Sequence, residues 1–275
     1  MKYRYRLLFW IAAVGGVYLS LMYINPYFGT ITLSEAVLQL SGSRGGFVQG
    51  FSYTALISFT MRLFPAFVVE AYAGIMLYQH FCTASVYVFS RYPRRVKWYL
   101  GEACRLVGAV CIFHLLLLAV ALFTAAVRYE LQIDSAGAMV LAYHFAIHSL
   151  WTYAMTLSVN LLAVYFGSST AYALVVSVQM VCIALLNLMD FLVKHSGGGL
   201  AYEDAVIWNP MAHLVLGWHD RHVANINPAE APYDIWMDLN GSLIMFFLLG
   251  AALTLAGAFI IKKHDILVSD LETEV

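Results

Sequence analysis

Charge is scarce in this chain. Asp, Glu, Lys and Arg make up 11% of its 275 residues, against 62% hydrophobic residues, and the mean hydropathy is +0.76. Soluble domains normally carry about 25% charged residues, so water is not the main solvent of this protein. The few charges nearly cancel, to a formal net charge of −1 and a pI of about 6.7. That balance excludes the basic face on which nucleic-acid binding depends. Cysteine is sparse too: Cys82, Cys104, Cys111 and Cys182 all fall in or beside apolar segments, which argues against a disulfide framework. Neither G-x-x-x-x-G-K-[ST] nor H-E-x-x-H occurs, so the chain has no P-loop to cradle nucleotide phosphates and no helical zinc-protease motif.

What the chain has in abundance is long apolar runs. A helix needs about 20 mainly apolar residues to cross a hydrocarbon core of about 30 Å. Runs of that kind lie near 7–24, 56–81, 106–127, 138–165, 171–192 and 242–261. They predict an all-α, polytopic membrane protein with six transmembrane helices, forming a single domain over 1–275 and embedded in a lipid bilayer. The stretch 139–192 is too long for one span, since roughly 54 residues would rise about 80 Å as a helix. Gly167-Ser168-Ser169-Thr170 supplies the break. The basic start Met1-Lys2-Tyr3-Arg4-Tyr5-Arg6 leads into a run longer than a signal-peptide core, followed by Asn25-Pro26-Tyr27 with no small-x-small cleavage site, and reads as an uncleaved first span.

Lysine and arginine near span ends are retained in the cytoplasm. With both termini inside, the inner side holds Lys2, Arg4, Arg6, Arg91, Arg94, Arg95, Lys97, Lys262 and Lys263; the outer loops hold Arg44, Arg128, Lys194 and Arg221. The two larger outer loops, near 25–53 and 193–240, contain apolar stretches of their own. In the second, Asn209-Pro210 resembles an N-cap with proline at the first helical position, and 211–218 supplies a short helix lying on or dipping into the outer leaflet.

Between the second and third spans runs an aromatic, basic segment from Ala84 to Leu100, containing Tyr87, Phe89-Ser90-Arg91, Pro93-Arg94-Arg95 and Lys97-Trp98-Tyr99. Tyrosine and tryptophan suit the membrane interface, and arginine and lysine there face anionic headgroups or an acidic partner. On physics alone, a positive-inside anchor with an aromatic belt accounts for it equally well.

Six spans, ends inside, this segment and an outer helical stretch before the last span together resemble the type-2 permeases of ATP-binding-cassette transporters. The ending Ile261-Lys262-Lys263-His264-Asp265-Ile266-Leu267 resembles the basic tail of such permeases. The resemblance implies a cell-membrane protein, in a bacterial inner membrane, that exports an amphipathic peptide, lipid or drug by alternating access. It implies a coupling helix between spans two and three, with Tyr87, Phe89, Arg91, Arg94, Arg95, Lys97 and Trp98 docking on a separate ATPase. Two ATPase subunits and a second permease chain, identical or related, are the implied partners. ATP and magnesium belong on the ATPase, and no cofactor, metal or catalytic residue is expected on this chain.

Ionisable residues inside a bilayer cost about 2.5–3.5 kcal/mol each even on the mildest scale. Arg62 and Glu70 share the second span with Pro65. Eight residues on a helix give about 12 Å of rise and about 80° of rotation, which separates the two. Arg62 is placed to snorkel to the outer interface, and Glu70 to line a translocation route or subunit interface. His144, His148 and Trp151 share a face of the fourth span, within reach of His114 on the third. His144 and His148 join Arg62 and Glu70 as residues of a route or interface, against the plainer reading of interhelical hydrogen bonding. His213, His219 and His222 on the outer side admit the same two readings. Two other function classes stand beside the permease: an intramembrane metal-dependent enzyme using the His144/His148 face with Glu70, and a non-catalytic membrane partner subunit.

Overall fold

A computed structural model of the protein describes residues 2–26, 29–42, 53–87, 95–195, 206–219 and 237–263. The elements run in the order α1 (Lys2–Tyr23), β1 (Thr30–Thr32), α2 (Leu33–Ser41), α3 (Tyr53–Tyr87), α4 (Arg95–Arg128), β2 (Glu130–Gln132), α5 (Ser135–Phe166) and α6 (Ser168–His195). Two 3-10 turns, Ala212–Leu214 and Leu216–Trp218, then precede α7 (Leu239–Lys263). All the helices named here except α2 are long and apolar enough to cross a membrane, which makes six candidate spans. Helices are the expected solution, because in hydrocarbon each backbone group must find its partner within its own segment.

The boundaries differ from the hydropathy reading mainly around the second and third spans. Apolar residues mark only the buried part of a helix, whereas α3 with 35 residues and α4 with 34 are each about 50 Å long, far more than a hydrocarbon core needs. Arg95, Lys97 and Trp98 are consequently the first turn of a spanning helix, not part of a separate coupling helix. Phe89, Arg91 and Arg94, and the side chain of Tyr87, lie outside the described residues. The break between α5 and α6 is a single residue, Gly167, at φ 78°, a left-handed conformation that glycine adopts without a Cβ clash. Cys104, Cys111 and Cys182 are free thiols.

Helix α5 is central, with α2, α3, α4, α6 and α7 all packed on it. Lipid tails are as apolar as leucine, so association depends on close packing and polar contacts rather than on escape from solvent. Small residues provide the first. A Cβ on Gly16 would lie 2.6 Å from the Leu117 carbonyl oxygen of α4, and one on Gly74 would lie 2.6 Å from Val159 of α5. Polar stitches provide the second. Buried Asn160 of α5 accepts the Tyr78 backbone N–H at 3.0 Å and donates to the Ala73 carbonyl at 3.2 Å, gripping the backbone of α3. The outward faces are apolar, with Trp10 and Val14 on α1 and Phe247, Leu255 and Phe259 on α7 exposed.

The chain between the first two spans is ordered where described. Thr32 caps α2 through a capping box, its hydroxyl accepting the Glu35 N–H while Glu35 accepts the Thr32 N–H, so two orphan donors are satisfied together. β1 pairs in parallel with β2, in register Thr30 to Glu130 and Thr32 to Gln132. Asp134 ties the two helix starts together, accepting the Ser34 N–H at 3.1 Å and the Gly137 N–H at 3.0 Å.

The glycine contacts can be tested in detergent. Gly16→Ala forces a methyl against the α4 backbone and is expected to cost about 1–3 kcal/mol, read as a lower thermal midpoint. Gly108→Ala, with open space around the new Cβ, should leave the midpoint unchanged or slightly raised.

Candidate functional site

Spacing of four places His144 and His148 on one face of α5, and their rings stack at 4.0 Å between centroids, tilted by 33°. His114 comes across from α4, its ring 6.3 Å from that of His148. Arg62 enters from α3. These four residues line one cavity of about 30 Å³, together with Ser41 and an apolar wall that includes Phe59, Leu63 and Phe113. That volume suits one or two water molecules.

The ring nitrogens are partly committed. Thr152, one turn beyond His148 on α5, bonds His114 Nε2 at 2.9 Å. His148 Nε2 donates to the Leu214 carbonyl at 3.2 Å. His114 Nδ1 and His144 Nδ1 are buried without a protein partner, and a water in the cavity can satisfy them. Trp151 turns away from the cavity to pack on Phe246 of α7, at 5.3 Å between centroids.

Arg62 is half-buried. Its guanidinium donates to the Leu40 carbonyl at 3.1 Å and to the Gln39 carbonyl, and it lies over the Tyr23 ring at 3.8 Å from the centroid. The last carbonyls of a helix have no partner within it and carry its negative pole, so the end of α2 offers a cation both acceptors and a favourable field. Glu70, set apart from Arg62 by the rotation along α3, lies outside this cavity. It is fully buried against α6, where Gln179 donates to its Oε2 at 2.7 Å. The structure thus gathers Arg62, His144 and His148 and leaves Glu70 at a separate helix contact.

The stretch 206–219 departs further from expectation. Asn209 does accept the Met211 N–H at 3.0 Å, as a cap would, but two 3-10 turns follow, not an α-helix, because Val215 is extended at φ −89° and ψ 96°. The segment is packed among the helices. Met211, Leu214, Val215, Leu216 and Trp218 are at most 2% exposed and share one core cluster with Phe59 of α3, Ile147 of α5, Ile183 of α6 and Phe246 of α7. Asn209 also donates to the Cys182 carbonyl at 2.7 Å.

Within this segment His213 and His219 both reach Ser242 Oγ of α7, at 2.7 and 2.8 Å. Their other nitrogens face the carbonyls of Ile207, at 2.8 Å, and Val215, at 3.2 Å. Burial lowers the pKa of His213, against the opposing pull of the Ile207 carbonyl. Burial and the neighbouring His213 push His219 down to about 4, against the pull of nearby carbonyls and Asp238. His222 lies outside the described residues.

Chemically, the cavity is a set of imidazoles beside a fixed cation. Among the described residues no three His, Cys, Asp or Glu side chains come together in a way that could hold a metal ion. Thr152, Asn160, Gln179 and Ser242 complete the polar contacts and were not singled out from sequence, since isolated hydroxyls and amides in apolar runs carry no pattern. Comparisons with protein-family models, with curated proteins and with solved structures return no match.

Removing the Arg62 cation should act first on α2. Arg62→Met leaves two helix-end carbonyls without their charged donor, and amide exchange over 33–41 is expected to quicken by about tenfold or more. Glu70→Gln, whose amide oxygen can still accept from Gln179, should leave exchange in α3 and α6 close to the original.

Proposed function

We propose that this chain is the membrane-spanning permease subunit of an ATP-binding-cassette transporter, with its termini and the segment around 88–98 on the cytoplasmic side. Hydrolysis of ATP, with magnesium, belongs to two copies of a separate ATPase. A second permease chain, identical or related, completes the pathway. Export of an amphipathic peptide, lipid or drug is the transport class we assign to it.

The observation that carries this reading lies where the basic, aromatic segment meets the bundle. Two spanning helices border it in sequence, α3 ending at Tyr87 and α4 starting at Arg95. The end of α4 is keyed into the bundle by Tyr99, one residue after Trp98. Tyr99 is fully buried, and a methyl on Gly257 of α7 would collide with its hydroxyl and come within 2.8 Å of Leu161 of α5. In this reading a displacement at the start of α4 reaches α5 and α7 through Tyr99. That is the linkage a permease needs to turn closure of an ATPase into movement of its spans. In this reading Arg62 and the histidines mark polar ground that opens as the helices move apart, and Glu70 marks a helix interface that shifts.

Affinity purification of the tagged chain in mild detergent, followed by an ATP hydrolysis assay, tests the proposal. A stoichiometric ATPase subunit is expected, lost when Arg91, Arg94 and Arg95 are all replaced by glutamate while the variant still elutes as a folded species. Absence of any ATPase in several detergents and in nanodiscs would overturn the permease reading.

A further inference from the structure

We propose that His213, Ser242 and His219 form a binding site for one proton, and that the bound proton fastens the buried segment 206–219 to the first turn of α7. This site is independent of the transporter reading and follows from the number of hydrogens its groups can carry. A carbonyl only accepts, so His213 Nε2 facing the Ile207 oxygen and His219 Nδ1 facing the Val215 oxygen must both carry hydrogen. A neutral imidazole has one such hydrogen. When both rings are neutral, therefore, His213 Nδ1 and His219 Nε2 are both bare, and both point at Ser242 Oγ, from 2.7 and 2.8 Å. The serine hydroxyl has a single hydrogen, and the Asp238 carbonyl at 3.1 Å is a third acceptor for it. At least one short contact then sets lone pair against lone pair.

One added proton removes the conflict. His213 as imidazolium donates to Ile207 O and to Ser242 Oγ, the serine donates to His219 Nε2, and His219 donates to Val215 O. Each link then has one donor and one acceptor, and those made by the imidazolium are charge-assisted. His213 is the better seat for the charge, being 7% exposed where His219 is 2%. His219, which burial keeps neutral down to about pH 4, is the acceptor the chain of bonds requires.

The other titratable groups nearby are engaged elsewhere. Asp238 is the carboxylate whose field reaches His219, and its oxygens accept the Asn240 and Gly241 amides at 3.2 and 2.9 Å. On α5, Tyr143 donates to Asn240 and His148 to the Leu214 carbonyl. On α2, Glu35 is bound to its own cap. Near α6, the Glu70 carboxylate is held by Gln179.

Because burial opposes charging of His213, its proton is taken up below the usual histidine value of 6.5. The bridge is one proton short at pH 7.5 and is completed as the pH falls below that histidine value. The test is a pH titration of the full-length protein, histidine-labelled with nitrogen-15 and held in lipid nanodiscs. Between pH 7.5 and 5, the signal erased by His213→Gln should gain a second N–H, while the signal erased by His219→Gln keeps one. Over the same range, amide exchange in 206–219, corrected for its intrinsic pH dependence, should slow about tenfold. Ser242→Ala should abolish the slowing, and Ser242→Thr, which keeps the hydroxyl, should retain it. A His213 that stays singly protonated at pH 5 overturns the proposal, as does unchanged slowing in folded Ser242→Ala. If that variant does not fold, the titration of the unsubstituted protein decides alone.

Discussion

The guanidinium of Arg62 and the last carbonyls of α2 are each costly in apolar surroundings, and each relieves the other. A helix end leaves four carbonyls unbonded, and a lone cation near the middle of a bundle has lost most of its hydration. Put together, with the Tyr23 ring beneath the cation, they allow a nine-residue helix to end inside the bundle. Without such a partner α2 would be held to the surface, and the cavity beside Ser41 and the histidines would lack a wall.

The same constraint recurs wherever the backbone is irregular. The turns of 206–219 tolerate deep burial because His148 answers the Leu214 carbonyl, Asn209 the Met211 amide, and His213 and His219 the carbonyls of Ile207 and Val215. Buried non-helical backbone persists only when its polar groups find partners. His148 and Arg62 of the spans do the same work, each holding a backbone carbonyl outside its own helix.

The two regions of the bundle are built differently. Around the start of α5, a short parallel ladder, a shared aspartate cap and a buried non-helical segment bind the connections to the spans. Around its end, one glycine joins α5 to α6, and Tyr99 wedges α4 against α5 and α7. Close contacts such as Gly257 on Tyr99 transmit displacement because packed side chains are incompressible on this scale.

The number of spans was legible from hydropathy because solvent selection acts on every residue of a run, and the break at Gly167 was legible because a positive φ strongly favours glycine. The Thr32–Glu35 capping box was equally available in the sequence as an S/T-x-x-E pattern. The four-residue spacing of His144 and His148 placed them on one face, and the offset between Arg62 and Glu70 correctly separated those two. The true lengths of α3 and α4 were not legible, since hydropathy falls off at the membrane edge while helical hydrogen bonding does not. Nor was the burial of 206–219, or the partner of any polar side chain. Composition and periodicity are local and settle which solvent a segment meets and which face a residue occupies. Which carbonyl an arginine caps, and which serine two histidines share, depends on residues tens of positions apart meeting in space, and that only the packed tertiary structure decides.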